Sequence, residues 1–451
     1  MTQEEALNIL KMGHNVFLTG QAGSGKTYTL NKYIEYLKAK NIGVAVTAST
    51  GVAASHLNGR TIHSWSGIRI KDDMTDKEVS DLSKNRTLGG NFRRAKVLII
   101  DEISMLHSFR LDLVQRILRI AKGNFEAFGG MQMVLCGDFF QLPPVTTNGE
   151  NPSDYFAFKS RSWDSMNLRV CYLESQYRNI DPVYYGMLNK IRTDTIDQEA
   201  VETLKSRYQK SIPYKEMTRL YTHNENVDAI NDVELSKLPG EPKTYFMQSS
   251  GLQKLVAELK RNCLAKEELS LKKGAVVMFV KNNFDRGYVN GTIGVVENFD
   301  EYGNPVVRSK NGNIIVALPE SWGFEEDGKI LAEISQVPLK LAWAISVHKS
   351  QGISLDAAEV DLSRAFEPGM GYVALSRIRT LDGLRLMGLN DVALKINAEV
   401  LEFDKELVEL SEKEARTVRS MLLKEIEDMQ NSFISKINPD SVGMSEQSGR
   451  V

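Results

Sequence analysis

The sequence predicts an α/β protein organised around an open, mainly parallel sheet. Two features carry that expectation. Short apolar runs without alternation, the mark of strands covered on both faces, recur through the first half with helix-periodic segments between them. The first of these runs leads directly into a glycine-rich loop that opens a helix, the strand–loop–helix order of a phosphate-binding unit. In chain order, strands are expected at Asn15–Thr19, Gly43–Thr47, Val97–Ile100, Met133–Cys136 and Val170–Leu173, with helices such as Tyr28–Lys40 and Arg110–Ala121 between them. Residues 66–96 break the pattern: they are charged, weakly apolar and carry Gly89-Gly90, so an inserted excursion without a strand is expected.

A second α/β unit is expected to start at Thr218–Thr222. Within it, over 272–335, lie the runs Ala275–Val280, Thr292–Val296, Pro305–Arg308 and Asn313–Ala317, with turn signals at Asn290-Gly291 and Asn311-Gly312. Such spacing predicts a small antiparallel β module. The α/β pattern resumes at Lys340–Val347. Beyond about residue 395 the chain is helical and charge-rich, expected to pack on the second unit or to bind a partner, and Asn438–Val451 reads as a flexible tail.

With 451 residues the chain exceeds what one core usually serves, so two or three domains are expected. Its 42% hydrophobic and 25% charged content is that of a soluble globular protein. No apolar run reaches bilayer length and Met1–Ala6 lacks the features of a secretion signal, so no membrane partner is expected. Three scattered cysteines, Cys136, Cys171 and Cys263, offer neither a disulfide framework nor a zinc spacing, which fits reduced thiols in a cytoplasmic protein, and with no nuclear or mitochondrial targeting stretch in view a bacterial or phage-like cytoplasmic enzyme is expected. The net charge of −2 does not exclude nucleic acid, because a narrow basic track can coexist with an acidic exterior.

Gly20-Gln-Ala-Gly-Ser-Gly-Lys-Thr27 matches the phosphate loop at every fixed position. Its glycines let consecutive N–H groups face the phosphates, and the helix that follows adds its dipole. Lys26 is expected to reach the β- and γ-phosphates and Thr27 to hold Mg²⁺. Asp101 and Glu102 end a buried strand, where ionised acids are costly unless compensated. A metal ion beside the phosphate loop compensates them, with Asp101 as its partner and Glu102 as the base for the attacking water. Guanine-specific switches are disfavoured by the absence of an Asn-Lys-x-Asp signature.

Several further stretches carry a family resemblance. Asp101-Glu-Ile-Ser-Met105, Gly137-Asp-Phe-Phe-Gln-Leu-Pro-Pro144, Val347-His-Lys-Ser-Gln-Gly352 and Gly371-Tyr-Val-Ala-Leu-Ser-Arg377 resemble superfamily one DNA helicases of the RecD and Pif type. Thr47-Ala-Ser-Thr-Gly-Val-Ala-Ala54, Thr61-Ile-His-Ser64, Phe128-Gly-Gly-Met-Gln132, Leu271–Met278 and Val289–Val296 narrow it to the Pif branch, over Gln3 to Leu389. The resemblance implies two RecA-like lobes (1–65 with 97–180, and 181–271 with 336–395) with ATP between them. It further implies a wedge at 66–96 and an SH3-like β insertion at 272–335; residues 396–437 are left as a helical extension before the tail at 438–451.

For the nucleotide, the resemblance implies Gln3 as adenine reader, with Gly20, Ala22, Gly23, Ser24, Gly25, Lys26, Thr27, Tyr28, Gln351 and Gly352 around it. It implies Arg178 and Arg377 as γ-phosphate arginines, and Gln141 as the group that senses the γ-phosphate and couples it to the strand-binding face. DNA contacts are expected at Ser49, Thr50, Gly51, His63 and Ser64 in the first lobe and Thr222, Asn224, His348 and Lys349 in the second. Hydroxyls, amides and imidazoles grip phosphate and sugar without reading sequence. Phe139, Phe140, Trp65 and Trp343 are candidates for stacking on bases, with a core position as the competing expectation for each, and Arg93, Arg94 and Lys96 for touching a duplex junction. The expected activity is 5′→3′ ATP-dependent unwinding by a monomer acting on single-stranded and tailed or forked DNA. A DNA-stimulated ATPase subunit of a recombination or repair complex is the alternative, and a ring-forming remodeller a weaker one.

Overall fold

The computed structural model describes residues 1–68, 71–144, 152–174, 181–212, 218–221, 227–283, 285–288, 290–309, 312–326, 329–347, 350–351 and 353–438. The chain divides into two units: Met1–Phe139, Pro143–Tyr177 and Ala398–Val451 form the first, Phe140–Leu142 and Arg178–Asn397 the second.

The first unit is built on six strands, β1 (Val16–Gly20), β2 (Val44–Ala48), β3 (Arg60–Thr61), β4 (Val97–Asp101), β5 (Gln132–Cys136) and β6 (Arg169–Leu173). They lie in the order β3-β2-β4-β5-β1-β6 and every neighbouring pair is parallel. β1, β4 and β5 are buried at every residue, which is why their sequences run apolar instead of alternating. Leu135 of β5 is aligned with Phe17 of β1 and with Ile100 of β4, so the carboxyl ends of these three strands come together.

Helices of this unit are α1 (Gln3–Lys11), α2 (Lys26–Ala39), α3 (Gly51–His56), α4 (Ile62–Ser66), α5 (Asp76–Lys84), α6 (Arg86–Arg94), α7 (Ser108–Lys122) and α8 (Arg161–Ser165). Helix α1 opens on a capping box between Thr2 and Glu5. The excursion at 66–96 is a helical pair, α5 and α6, fastened to α7 where Arg110 meets Asp72 at 2.6 Å and Arg116 pairs with Asp76. Trp65 is 5% exposed and packs edge-on against Phe92 at 5.2 Å, so it belongs to the core and not to a base-stacking surface.

The second unit begins with α9 (Pro182–Arg192) and α10 (Gln198–Lys205), then β7 (Thr218–Tyr221) and α11 (Val227–Ser236). An antiparallel region follows: β8 (Lys243–Phe246), β9 (Gln248–Gly251), α12 (Gln253–Asn262), β10 (Glu268–Leu271), β11 (Val276–Phe279), β12 (Ile293–Phe299), β13 (Pro305–Ser309), β14 (Ile314–Val316), β15 (Glu320–Glu326), β16 (Lys329–Gln336) and β17 (Leu339–Leu341). Its largest sheet runs β14-β13-β12-β11-β17. The region starts near Lys243, earlier than the break expected at 272, because β8 pairs with β10 and β9 with β16. Polar, Gly- and Ser-rich β9 carries too little apolar pattern to be legible as a strand.

The run Lys340–Val347, where the α/β pattern was expected to resume, holds two strands: β17 joins the antiparallel sheet, and β18 (Ala344–Ser346) joins β7, β19 (Ala358–Leu362) and β20 (Leu384–Leu389) in a parallel sheet ordered β18-β7-β19-β20. Half-buried Trp343, at the crossing, packs on the core of the antiparallel region. Between β19 and β20 sits the short helix α13 (Met370–Leu375), buried at every residue.

The chain then returns to the first unit as α14 (Ala398–Ser420) and α15 (Leu423–Ile437). Ala415, Val418, Ile426 and Ile434 join the core formed by α1, α2, β1 and β4–β6. The expectation that this stretch packs on the second unit is therefore corrected: its apolar stripe continues the first unit's core. The expected tail, apart from Asn438, lies outside the described residues.

Candidate active site

The loop after β1 takes its shape from glycines held in left-handed backbone, Gly20, Gly23 and Gly25, at φ of 137°, 91° and 90°. A Cβ at Gly20 would stand 2.6 Å from the Leu173 carbonyl oxygen and 2.9 Å from Ser24 Oγ, so no other residue fits there. Lys26 turns back over the loop, its Nζ donating to the carbonyls of Gly20 at 2.7 Å and Gln21 at 3.0 Å. Ser24 Oγ is buried and finds no hydrogen-bond partner among the described residues, and Ala22 is buried under the loop. Thr27 and Tyr28 are exposed at the start of α2. A flexed amine over a glycine cradle, a free hydroxyl and a helix start fit a nucleotide's phosphates.

At the end of β4, Asp101 is 8% exposed; burial pushes its carboxyl above the usual range, opposed by the Cys136 thiol, the Glu102 N–H and the Lys26 charge. Asp101 Oδ1 accepts from the Glu102 N–H at 2.9 Å. Glu102 itself is left-handed, φ 51° and ψ 46°, a conformation unusual for a side chain of this size and concentrated at functional sites. Its carbonyl is held by Ser49 Oγ at 2.6 Å, and the Ser49 N–H donates to the Asp101 carbonyl at 3.0 Å. The sheet order places β5 between the phosphate loop's strand and the acidic pair's strand, with all three ending on the same edge, the position where α/β sheets bind ligands. A buried carboxylate beside a cradle for nucleotide phosphates offers the hard oxygen ligands that Mg²⁺ takes.

Gln3, the first residue of α1, donates from Nε2 to the Ser24 carbonyl at 3.4 Å, so its side chain lies against the phosphate loop. In the second unit, Gln141 and Arg377, separated by 236 residues, are brought together: Arg377 Nη2 donates to Gln141 Oε1 at 3.3 Å and to Ser376 Oγ at 2.9 Å, and Arg377 Nε donates to the Val373 carbonyl at 2.9 Å. Gln141 is 6% exposed and Arg377 1%. Gln351 is buried, with Nε2 free of partners among the described residues. Arg178, Gly352, Thr222, Asn224, His348 and Lys349 lie outside the described residues.

Three expected DNA contacts are buried in the structure. Phe139 sits in an aromatic cluster with Phe17, Phe156, Phe158, Trp163 and Phe403, the last on α14, and Phe140 carries the Arg192 guanidinium 3.9 Å above its ring. Neither ring has a free face for a base. Ser49 is also buried, with its hydroxyl committed to Glu102. Thr50, Gly51, His63 and Ser64 are partly exposed. His63 Nε2 lies 3.2 Å from Arg110 Nη1; burial first, then the Arg110 charge, pushes its imidazole down to about 4. Arg93, Arg94 and Lys96 are exposed on and after α6.

Sequence reasoning missed Cys136 and Arg192. Cys136 reads as one more apolar strand residue; the cross-strand alignment of Ile100 with Leu135, one residue back on each strand, is what brings its thiol to Asp101. Arg192 reads as a basic helix end, a placement the helix dipole favours, and only the fold buries it over Phe140.

The comparisons with known proteins meet this geometry. The PIF1-like helicase model matches residues 3–194, and that of the DNA helicase Pif1 2B domain matches 254–299. The ATP-dependent DNA helicase Pif1 of Psychrobacter sp. (strain PRwf-1) is 44% identical over 470 residues, covering 91% of this chain and 71% of its own. This chain belongs to the Pif1 family of ATP-dependent DNA helicases.

Two solved Pif1 structures from Bacteroides share the fold. One, in complex with ADP-AlF4, aligns with a TM-score of 0.75 at 30% identity, covering 90% of this chain and 96% of that one. The other, with ADP-AlF3 and single-stranded DNA, aligns with a TM-score of 0.61 at 29% identity, over 90% and 96%. The α/β fold with a parallel sheet is thus that of Pif1 helicases with two RecA-like lobes. Some curated relatives are longer: the chain spans 63% of the length of the Xenopus laevis PIF1, to which it is 40% identical. Among the described residues no helix is long and apolar enough to cross a membrane.

Proposed function

We propose that this chain is an ATP-driven motor that moves 5′→3′ along single-stranded DNA and separates tailed or forked duplexes as a monomer. The observation that carries the reading is the edge of the parallel sheet where the glycine cradle after β1 and the acidic pair at the end of β4, Asp101 and left-handed Glu102, flank β5. Lys26 holds the β- and γ-phosphates, and Thr27 and Asp101 hold Mg²⁺, which when bound neutralises phosphate charge. Glu102, fixed by its own strained backbone and by Ser49, takes the proton from the attacking water at its carboxylate. Gln3 reads the adenine edge from the start of α1. Arg377 exchanges its bond to Gln141 for the transferred phosphoryl oxygens, and Gln141 reports that exchange to the chain that continues from β5.

Thr50, Gly51, His63 and Ser64 grip the DNA backbone without reading sequence, as a motor requires. The helical pair at 76–94 is proposed as the wedge, and the antiparallel region from Lys243 as the clamp of the second lobe.

The test is hydrolysis and unwinding by the purified chain. ATPase activity rises strongly with single-stranded DNA, and Lys26→Ala abolishes it. The same chain unwinds a 5′-tailed duplex and leaves its 3′-tailed counterpart intact. DNA-independent hydrolysis, or unwinding confined to 3′ tails, overturns the reading, and translocation without strand separation assigns the chain to a larger complex.

A further inference from the structure

The helices α14 and α15 have no part in the chemistry described above, yet they bear on the element that presents Gln3. Arg419 near the end of α14 meets Glu5 with both arms of its guanidinium, Nε to Oε1 at 2.6 Å and Nη2 to Oε2 at 3.2 Å. Glu5 is the N3 residue of the α1 capping box: its Oε2 also accepts from the Thr2 N–H at 2.9 Å, and the Glu5 N–H donates to Thr2 Oγ1 at 3.2 Å. The carboxylate thus joins two jobs, closing the first turn of α1 and anchoring it to α14. That first turn begins with Gln3.

Helix α15 holds the rest of α1. Gln430 Nε2 donates to Asn8 Oδ1 at 3.3 Å, and the Phe433 ring fills the space where a side chain at Gly13 would go. Ala6, Ile9 and Leu10 of α1 share one core with Val418, Ile426 and Ile434. The hairpin also reaches beyond α2, where Asn438 Nδ2 donates to the Lys40 carbonyl at 3.2 Å. Both helices that flank the phosphate loop in sequence are therefore braced by the same pair.

We propose that α14 and α15 form a brace that sets the height and rotation of α1 and so tunes nucleobase selectivity, with Arg419 as the positioning residue that fixes Gln3 through Glu5. The proposal rests on Gln3 as the adenine reader. Bidentate contact matters because it restrains direction as well as distance, which a single ammonium does less well. The pair is charge-assisted, and the Arg419 hydrogen bonds hold the Glu5 carboxyl below its ordinary range.

The readout is the ratio of kcat/KM for ATP to that for GTP and CTP in DNA-stimulated hydrolysis by the full chain. Arg419→Glu, which repels Glu5, is expected to lower the ratio several-fold through KM for ATP, with kcat at saturation unchanged; Arg419→Lys keeps much of the selectivity. Gln3→Ala is the reference and lowers the ratio at least as far. If Gln3→Ala collapses the ratio and Arg419→Glu leaves it intact, the brace has no role in selectivity and the proposal is overturned. If Gln3→Ala leaves the ratio unchanged, the adenine-reading role fails first, and the proposal with it. An equal loss with all three nucleotides also overturns it, since that marks general loss of folded protein.

Discussion

At the scale of single residues, the unusual atoms cluster around Glu102. Its left-handed backbone is stabilised from outside by Ser49 Oγ on its carbonyl, and Ser49 begins the loop leading to Thr50 and Gly51. Ser49 is therefore placed to position Glu102, the proposed base, and its buried hydroxyl is committed to that bond. A neutral hydrogen bond contributes about 1 kcal/mol, so Ser49→Ala is expected to lower DNA-stimulated kcat roughly five-fold while KM for ATP holds. Steady-state kinetics with saturating single-stranded DNA measures this, and a rise in KM without a fall in kcat contradicts it. His63 makes a second residue-scale prediction. Folded His63 accepts a proton only near pH 4, against 6.5 for the free side chain. The unfolded chain thus binds the proton first on acidification, and His63 costs stability as pH falls from about 6.5 to 4. Melting temperatures at pH 7.5 and pH 5 are expected to lie closer together for His63→Gln than for the parent. Between pH 7 and 8 the imidazole is neutral in both states, so there the variant's melting curve should run parallel.

At the scale of elements, α13 is tightly enclosed, with every residue buried. Tyr184 on α9 donates from its hydroxyl to the Leu375 carbonyl at 2.8 Å, and a Cβ on Gly371 would overlap the Ala393 carbonyl. Overpacking by one methyl typically costs about 1–3 kcal/mol when backbone must move. Gly371→Ala is therefore expected to displace α13, break the Arg377–Gln141 bond and remove most of the DNA-stimulated hydrolysis while nucleotide binding at the phosphate loop persists. Fluorescent-nucleotide titration beside an ATPase assay separates the two effects. This element also marks the limit of sequence reading. Strands β1, β4 and β5 were legible because burial on both faces leaves a continuous apolar run, and the loop was legible because φ above zero demands glycine. What makes Phe139 core and Arg192 buried is tertiary: each lies among neighbours contributed by distant segments, Phe403 for one and Phe140 for the other. Polar β9 and the split of β17 from β18 were hidden for the same reason, since pairing partners and not periodicity define them.

At the scale of the whole molecule, the first unit is closed by chain that leaves it at residue 177 and returns at 398. Val400, Leu407, Val418, Ile426 and Ile434 are each buried there. Full burial of a large aliphatic side chain is worth about 1.5–3 kcal/mol, so these five contribute on the order of 10 kcal/mol as an upper bound. That is comparable to the entire stability of a typical domain, about 5–15 kcal/mol. The first unit is therefore expected to depend on α14 and α15 to fold, although its sheet, phosphate loop and acidic pair all come from the amino-terminal part. A chain ending at Asn397 is expected to lose the cooperative melt of the first unit and to bind a hydrophobic dye, because Ala6, Ile9, Leu10, Tyr33 and Ile34 lose their cover. It should also lose nucleotide-dependent stabilisation, since only a folded site raises the melting temperature by mass action. Supplying residues 398–451 as a separate peptide is expected to restore part of both, because the missing contacts are side-chain packing and not chain continuity. A truncated chain that melts cooperatively and is still stabilised by nucleotide would mean that the sheet's own helices suffice, and that the returning pair only decorates the first unit.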